Sequence, residues 1–351
     1  MERHDDNPFI VIWEVTQACD LACAHCRAGA RQWRDPGELT TREGLDLLGQ
    51  IHAMGGPLLV FTGGDPLKRP DLDELVGRAV SLGLRTSVTP SGTALLDRDA
   101  VRRLRDLGVS RLAISLDGPD AATHDAFRRV AGSFEHTLRA CGHARDLGLP
   151  LQVNTTLSPH NLHLVEPMAG LAESLGAVLW SVFFVVPVGR ANPDQELPAA
   201  RFEEAFGQLH RVLARGRLDV KTTEAPHFRR YLAQRGGAGK GPGPDALPRA
   251  RAGVGDGRGF VFISHTGDVY PSGFLPLRAG NVRRTGLAEL YRESTLFRAL
   301  RRPDGFKGKC GRCEFRHLCG GSRARAWAAT GDFLESDPAC SYQPKARAAA
   351  A

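Results

Sequence analysis

Short apolar runs alternate with longer amphipathic stretches through the first half of the chain. The runs at 9–15, 57–61, 85–89, 111–116, 150–155 and 178–184 have the length and composition of strands. Between them, 40–54, 70–82, 97–107, 133–147 and 161–175 carry apolar residues at helical spacing. Strands alternating with helices predict parallel βαβ units, whose chemistry collects on the loops at the carboxyl ends of the strands. Two helix starts are legible. Thr40-Thr41-Arg42-Glu43 forms a capping-box pattern ahead of Leu45, Leu47, Leu48 and Ile51, and Pro70-Asp71 places a proline near a first helical position.

The alternation then changes character. Residues 199–214 read as an amphipathic helix with Phe202, Phe206, Leu209 and Leu213 on one face, and 218–221 as a short strand. The polar cluster Thr222-Thr223-Glu224-Ala225-Pro226-His227 leads into another helix. Glu224 and His227 are candidate substrate contacts there, though a helix start has the same composition. Gly236 to Gly259 is rich in Gly, Pro and Arg and reads as an excursion, a candidate lid. Residues 260–271 read as a β-hairpin turning at Thr266-Gly267, with helical segments around 286–300. The expected organisation is a first domain over 8–190, a bridge over 191–259 and a small C-terminal domain over 260–351.

Composition narrows the class. The chain has 351 residues, with 42% hydrophobic and 24% charged, the balance of a globular protein. The most apolar stretch, Val178–Val188, contains Ser181 and Pro187 and reads as a buried strand, not a membrane span. The polar, acidic start Met1-Glu2-Arg3-His4-Asp5-Asp6 is no signal peptide, so reduced cysteine chemistry in the cytoplasm is expected. The net charge is +7, and residues 229–258 hold seven basic and two acidic side chains. No aromatic stacking pattern or helix-turn-helix accompanies that charge, which favours a solvated loop over a nucleic-acid site.

Cysteine spacing carries the chemistry. Cys19, Cys23 and Cys26 follow the first predicted strand as Cys-x3-Cys-x2-Cys. A closed tetrahedral metal site wants four protein ligands, and this loop offers three thiols. Thiolates select soft metals, chiefly zinc and iron–sulfur clusters. On a four-iron cube, three thiolates leave one iron open to a small molecule. Zinc held by the three cysteines and His25 is the alternative, strained because His25 and Cys26 are adjacent. Farther on, Cys310, Cys313, Cys319 and Cys340 are spaced Cys-x2-Cys-x5-Cys-x20-Cys, a closed set of four that suits a cluster or a zinc ribbon. Cys141 falls among Leu138, Ala144 and Leu147 at helical spacing and reads as a small buried hydrophobe.

The first cysteine loop resembles the signature of radical S-adenosylmethionine (radical SAM) enzymes. The resemblance implies a partial (β/α)6 barrel. It implies a [4Fe-4S] cluster on Cys19, Cys23 and Cys26, with SAM chelating the open iron. It also implies reductive cleavage of SAM to a 5′-deoxyadenosyl radical that abstracts hydrogen from a substrate, with an electron donor such as flavodoxin or ferredoxin. Further loops agree with it. Thr62-Gly63-Gly64-Asp65-Pro66 stands where relatives have Gly-Gly-Glu-Pro, whose backbone pairs with the SAM amino group, and two glycines permit close backbone approach. Ser91, in Thr89-Pro90-Ser91-Gly92-Thr93, is a candidate for ribose or carboxylate oxygens, or else part of a simple turn. Ser115, in Ser115-Leu116-Asp117-Gly118, matches a known type of SAM contact. Arg128 suits a carboxylate, its alternative being an ion pair with Asp117 or Asp125. His25 holds a position usually aromatic and near adenine.

The hairpin and later cysteines resemble a SPASM domain. That domain ligates two auxiliary clusters, yet here the hairpin cysteine is replaced within Tyr270-Pro271-Ser272 and another by Ser322. One auxiliary [4Fe-4S] cluster, on Cys310, Cys313, Cys319 and Cys340, is therefore expected. An acidic base found beside the hairpin in some SPASM enzymes is Gly273 here, so that role does not carry over. The wording Trp13-Glu14-Val15-Thr16 and His25-Cys26-Arg27-Ala28 looks most like the tetrapyrrole-processing branch, which acts on propionate side chains. A peptide-modifying maturase is the alternative, disfavoured by the short N-terminal segment. A zinc-binding basic nucleic-acid protein is the non-enzyme alternative.

Overall fold

A computed structural model of the protein describes residues 4–237 and 254–345. Most of the Gly236–Gly259 excursion, and with it the expected lid, lies outside the described residues.

The six expected strands form: β1 (Ile10–Glu14), β2 (Leu58–Thr62), β3 (Thr86–Val88), β4 (Arg111–Ser115), β5 (Leu151–Leu157) and β6 (Ala177–Phe184). Between them run α1 (Thr41–Ala53), α2 (Leu72–Ser81), α3 (Arg98–Asp106), α4 (Ala121–Arg128), α5 (Ser133–Asp146) and α6 (Val165–Ser174). After α7 (Ala199–Ala214), strand β7 (Asp219–Thr223) pairs parallel to β6 and leads into α8 (His227–Ala233). The hairpin strands are β8 (Phe260–Ile263) and β9 (Asp268–Tyr270), followed by the short β10 (Gly280–Asn281). Helices α9 (Leu287–Glu293), α10 (Thr295–Leu300), α11 (Gly308–Arg312) and α12 (Arg323–Thr330) complete the described chain.

All these strands form one sheet, ordered β10-β9-β8-β1-β2-β3-β4-β5-β6-β7. From β8 to β7 every neighbour is parallel, which places the loops after these strands on one rim. The hairpin is thus continuous with the first-half sheet: β8 lies parallel to β1, with Ile10 opposite Phe260 and Trp13 opposite Ile263.

The core lies between sheet and helices. Trp13 and Phe61 project from β1 and β2 into it, both fully buried, with ring centroids 5.6 Å apart. Gly44 inside α1 makes this packing possible: a Cβ there would stand 2.8 Å from Trp13 Cη2 and 2.9 Å from Leu75 Cδ2. The helix gives up about 1 kcal/mol of propensity for that closeness. The capping box at α1 forms as expected, with Glu43 N–H donating to Thr40 Oγ1 (3.3 Å) and Thr40 N–H to Glu43 Oε2 (2.8 Å). Such a cap contributes about 1 kcal/mol. Helix α2 starts at Leu72, later than Pro70-Asp71 suggested. The Asp71 carboxylate makes no cap bond and instead accepts from Arg69 Nε (2.9 Å) and Thr41 Oγ1 (2.8 Å).

Candidate functional site

The loop after β1 is held in place by contacts from several strand ends. Cys19 N–H donates to Arg31 O (2.7 Å), and Ala24 N–H reaches Phe127 O on α4 (3.1 Å). Beyond β6, Arg190 grips the loop three times: its N–H donates to Cys26 O (2.9 Å), Nε to Cys23 O (3.1 Å) and Nη1 to Ala30 O (2.7 Å). Gly189 makes that grip possible. It sits at φ +64°, and a Cβ there would stand 2.2 Å from Arg27 O. Gly63 and Gly64 serve the same loop from β2. Added Cβ atoms would lie 2.6 Å from Thr16 O and 2.5 Å from Ala18 O, respectively. Gly64 and Asp65 N–H groups donate to Thr16 O (2.8 Å) and Ala18 O (2.7 Å). These glycines therefore admit the cysteine loop itself, beyond any ligand.

The three thiols face one solvent-open cavity of about 1150 Å³ on the rim at the strand ends. Gly63, Gly64, Ser91, Ser115, His25 and Arg128 line it with Cys19, Cys23 and Cys26, so widely separated segments converge there. Asn154 and Thr156 from β5 add polar groups, while Phe183, Val185, Val186 and Phe274 form an apolar wall. Ser91 Oγ donates to Gly64 O (2.9 Å) and lies 3.3 Å from Cys19 Sγ. The Asp65 side chain is fully buried, accepting from Leu67 N–H (3.1 Å) and Thr93 Oγ1 (3.2 Å). Burial pushes its carboxyl up to about 6. It braces the loop from beneath and does not line the cavity.

Arg128 takes up the ion pair that was its alternative role. Its guanidinium pairs with buried Asp117, and Nη1 also lies 3.5 Å from Cys23 Sγ. Asp117 in turn accepts from Thr156 N–H (2.7 Å). The His25 ring stacks on Phe127, with centroids 4.1 Å apart and planes at 17°. Burial, then the Arg128 and Arg190 charges, hold its imidazole neutral, well below the usual value. Its Nδ1 has no hydrogen-bond partner among the described residues.

Glu224 and His227 do not line this cavity, contrary to expectation. Glu224 is buried at φ +59°, an unusual conformation for a non-glycine residue, and Ser322 Oγ donates to its Oε2 (2.5 Å). Arg325 Nη1 donates to its carbonyl (2.8 Å). Burial, with nearby Asp256, raises its carboxyl well above the ordinary range. His227 packs against Phe202 and Phe206 and faces the second cysteine set. Both side chains are drawn to the C-terminal region, because β7 leads away from the cavity into the contact with α12.

Cys310, Cys313, Cys319 and Cys340 surround a second space of about 380 Å³, shared with His227 and Arg230. Backbone N–H groups point at its sulfurs: Asp337 at Cys310, Phe315 at Cys313 and Gly321 at Cys319, each at 3.4 Å. The serines in the expected cysteine positions have ordinary partners. Ser272 Oγ accepts from Phe274 and Leu275 N–H (both 3.2 Å), and Ser322 bonds Glu224. In both cysteine sets burial opposes ionisation, pushing Cys19 up to about 11 and Cys319 up to about 12. Such thiols stay protonated at neutral pH and lose their protons to solvent when a metal binds in their place. Thiol donors with N–H groups directed at sulfur are the donor chemistry of iron–sulfur sites, with three thiols on the solvent-open rim and four around the second space.

The comparisons agree with this geometry. Residues 13–172 match the Radical SAM superfamily. The AdoMet-dependent heme synthase of Nitratidesulfovibrio vulgaris is 44% identical over 344 residues, covering 96% of this chain and 93% of that protein. The chain belongs to the radical SAM superfamily. A second relative, the AdoMet-dependent heme synthase of Methanosarcina barkeri, is 40% identical and covers 96% of this radical SAM chain and 97% of its own. The fold matches Streptococcus suis SuiB bound to S-adenosylmethionine at TM-score 0.76 and 16% identity, covering 96% of this chain and 78% of that one. This radical SAM protein is an enzyme. When bound, a [4Fe-4S] cluster and SAM supply a 5′-deoxyadenosyl radical that removes hydrogen from the substrate. Among the described residues no helix is long and apolar enough to cross a membrane.

Sequence reasoning missed three residues of the radical SAM site. Gly189 and Arg190 clamp the cysteine loop, and a Gly-Arg pair at the end of the sixth strand was the available signal. Arg27 also lines the cavity, with Nη2 2.7 Å from Glu14 Oε2 and its guanidinium 4.5 Å from the Phe262 ring centroid. That contact needs β8 beside β1, which local pattern does not reveal.

Proposed function

We propose that this radical SAM enzyme acts on the side chain of a tetrapyrrole, with Cys19, Cys23 and Cys26 holding the cluster that binds SAM. The carrying observation is that all three thiols open onto one cavity that Phe183, Val185, Val186 and Phe274 also line. The relatives named heme synthase, matched over nearly the whole chain, support a tetrapyrrole there. Gly63, Gly64, Ser91 and Ser115 offer backbone and hydroxyl groups to SAM. His25, kept neutral, gives an uncharged surface for adenine, and Asp65 keeps the Gly-Gly loop in position. Arg128, paired with Asp117, holds the Cys23 side of the loop, and its Nε–H, without a hydrogen-bond partner among the described residues, is left for a carboxylate. Phe183, Val185, Val186 and Phe274 suit one face of a planar macrocycle and keep bulk water from a carbon radical.

Cys310, Cys313, Cys319 and Cys340 hold one auxiliary [4Fe-4S] cluster, closed to substrate by complete ligation. Flavodoxin or ferredoxin supplies the electron, in the cytoplasm, where thiols stay reduced. Anaerobic incubation of reconstituted enzyme with reductant, SAM and an iron porphyrin bearing propionates tests the assignment. A porphyrin mass change in proportion to 5′-deoxyadenosine is expected. Deoxyadenosine without porphyrin change, accompanied by modification of a peptide, would replace the tetrapyrrole reading with the maturase alternative.

A further inference from the structure

Each cysteine set touches one buried arginine. Arg128 Nη1 lies 3.5 Å from Cys23 Sγ, and Arg323 Nη2 lies 3.5 Å from Cys310 Sγ. Their charges are handled differently. Arg128 is paired with the fully buried Asp117. Arg323 is 3% exposed, and its other bonds go to carbonyls: Nε to Gly321 O (3.3 Å), Nη1 to Phe333 O (3.1 Å) and Glu335 O (2.6 Å). Among the described residues its guanidinium forms no ion pair with a carboxylate. It stacks instead over Phe306, 4.6 Å from the ring centroid.

The contact with sulfur is built into the backbone. Gly321 sits at φ +69°, and a Cβ there would lie 2.6 Å from Arg323 Nη2 and 3.0 Å from Cys310 Sγ. A side chain at this position would wedge the guanidinium from the thiol. Asp337 and Asp332 act on this cation only from beyond ion-pair distance, and burying a cation so weakly compensated is costly, so the position favours an anion where Cys310 stands. A ligating thiolate, or the cluster that it holds, is that anion. Other charges lie nearby. Lys309 and Arg230 border the space, Arg230 being paired with Glu203, and Asp337 is offset by Arg325 at 3.5 Å.

We propose that Arg323 is a positioning residue that holds the reduction potential of the cluster on Cys310, Cys313, Cys319 and Cys340 above that of the cluster on Cys19, Cys23 and Cys26. This rests on the two-cluster reading above. Reduction adds a negative charge, and a buried cation with no carboxylate at ion-pair distance and an N–H aimed at sulfur favours that charge in a low-dielectric site. Asp117 cancels the same benefit at Cys23. The electron therefore rests on the C-terminal set, and the SAM-binding set stays the stronger reductant.

The test is a potentiometric titration followed by electron paramagnetic resonance (EPR), with iron and zinc counted in each protein. R323Q is expected to keep its iron and to show a reduced-to-oxidised ratio at the C-terminal cluster at least tenfold lower at fixed potential, about 59 mV for a one-electron couple. R323K, which keeps the charge, should stay within about threefold of the parent, and the other cluster should not move in either variant. Full iron with an unmoved ratio in R323Q, or equal displacement in both variants, overturns the proposal. Should R323Q lose its C-terminal iron, R323K decides. Full iron and a parent-like ratio support the role, whereas a tenfold displacement or loss of iron overturns it. Zinc at the C-terminal set of the unaltered protein overturns the cluster reading as well, and the metal count tells that failure from a failure of Arg323 alone.

Discussion

The three-cysteine and four-cysteine sites meet opposite demands with the same side chain. The first is a gap in a wall. Its thiols sit on a loop gripped by the ends of β2 and β6 and by α4, and it opens to the solvent-continuous cavity on the rim. The second is built mostly from residues 306–342, with His227 and Arg230 beside it, and offers four thiols where the first offers three. Openness has to be enforced by rigid neighbours, and so the first site spends glycines at 63, 64 and 189 on packing backbone against backbone. At the second set, Phe315 and Gly321 N–H groups reach sulfurs two residues away, while Asp337 N–H comes from 27 residues on to meet Cys310.

The largest effect that could break this contrast is loss of the first site. Replacing Cys19, Cys23 and Cys26 together with Ala should abolish 5′-deoxyadenosine formation while the C-terminal iron, half the total, remains. Chromatographic product assay and iron analysis check it, and deoxyadenosine that persists would show that the SAM-binding metal lies elsewhere.

Next in size is Asp117→Asn. It leaves the Arg128 cation buried without its partner, and breaking such a pair costs about 3–5 kcal/mol. Thermal or denaturant unfolding of the apo-protein should register that loss. A change below about 1 kcal/mol would mean that Cys23 or water already balances Arg128.

Gly189→Ala should have a smaller but more local effect. The left-handed conformation and the 2.2 Å approach to Arg27 O together strain the β6 end by about 1–3 kcal/mol. The neighbouring carbonyl is backbone and cannot swing aside, so the cysteine loop has to move. Weaker SAM binding by equilibrium dialysis is expected, with the C-terminal iron untouched.

The legibility of the fold follows the same division between local and distant. The six strands and their helices appeared in the sequence because each unit carries its own periodicity, and the cysteine spacings are local by nature. Helix α4 was missed: it is one short element capped by Asp120, and its polar residues, His124 among them, face inward and break the apolar pattern. The parallel pairing of β8 with β1 joins segments some 250 residues apart, and nothing local in either reports it. Glu224 and His227 were misplaced for a related reason. A polar run after a strand looks like a rim, but the left-handed Glu224 turns the chain toward Ser322.

The smallest expected effect is a pH dependence at the seam between β1 and the hairpin. Burial pushes His265 down, but Glu14 at 3.1 Å and Asp35 at 3.7 Å more than offset this and leave its value raised. Its contribution to stability is therefore complete below about 6.5 and is lost as pH rises through the higher folded value. Unfolding midpoints should fall across that window in the parent protein, and His265→Gln should flatten the decline. An unchanged slope in the variant would assign the dependence to another group.

The most direct test of an iron left open at the first site is EPR of the reduced protein carrying Cys310→Ala and Cys340→Ala, with and without SAM. A single cluster signal whose g-values shift when SAM is added is the predicted result, since the nucleotide ligates the cluster held by Cys19, Cys23 and Cys26. A cluster signal that SAM leaves unchanged, or a colourless protein with zinc in place of iron, would contradict the account.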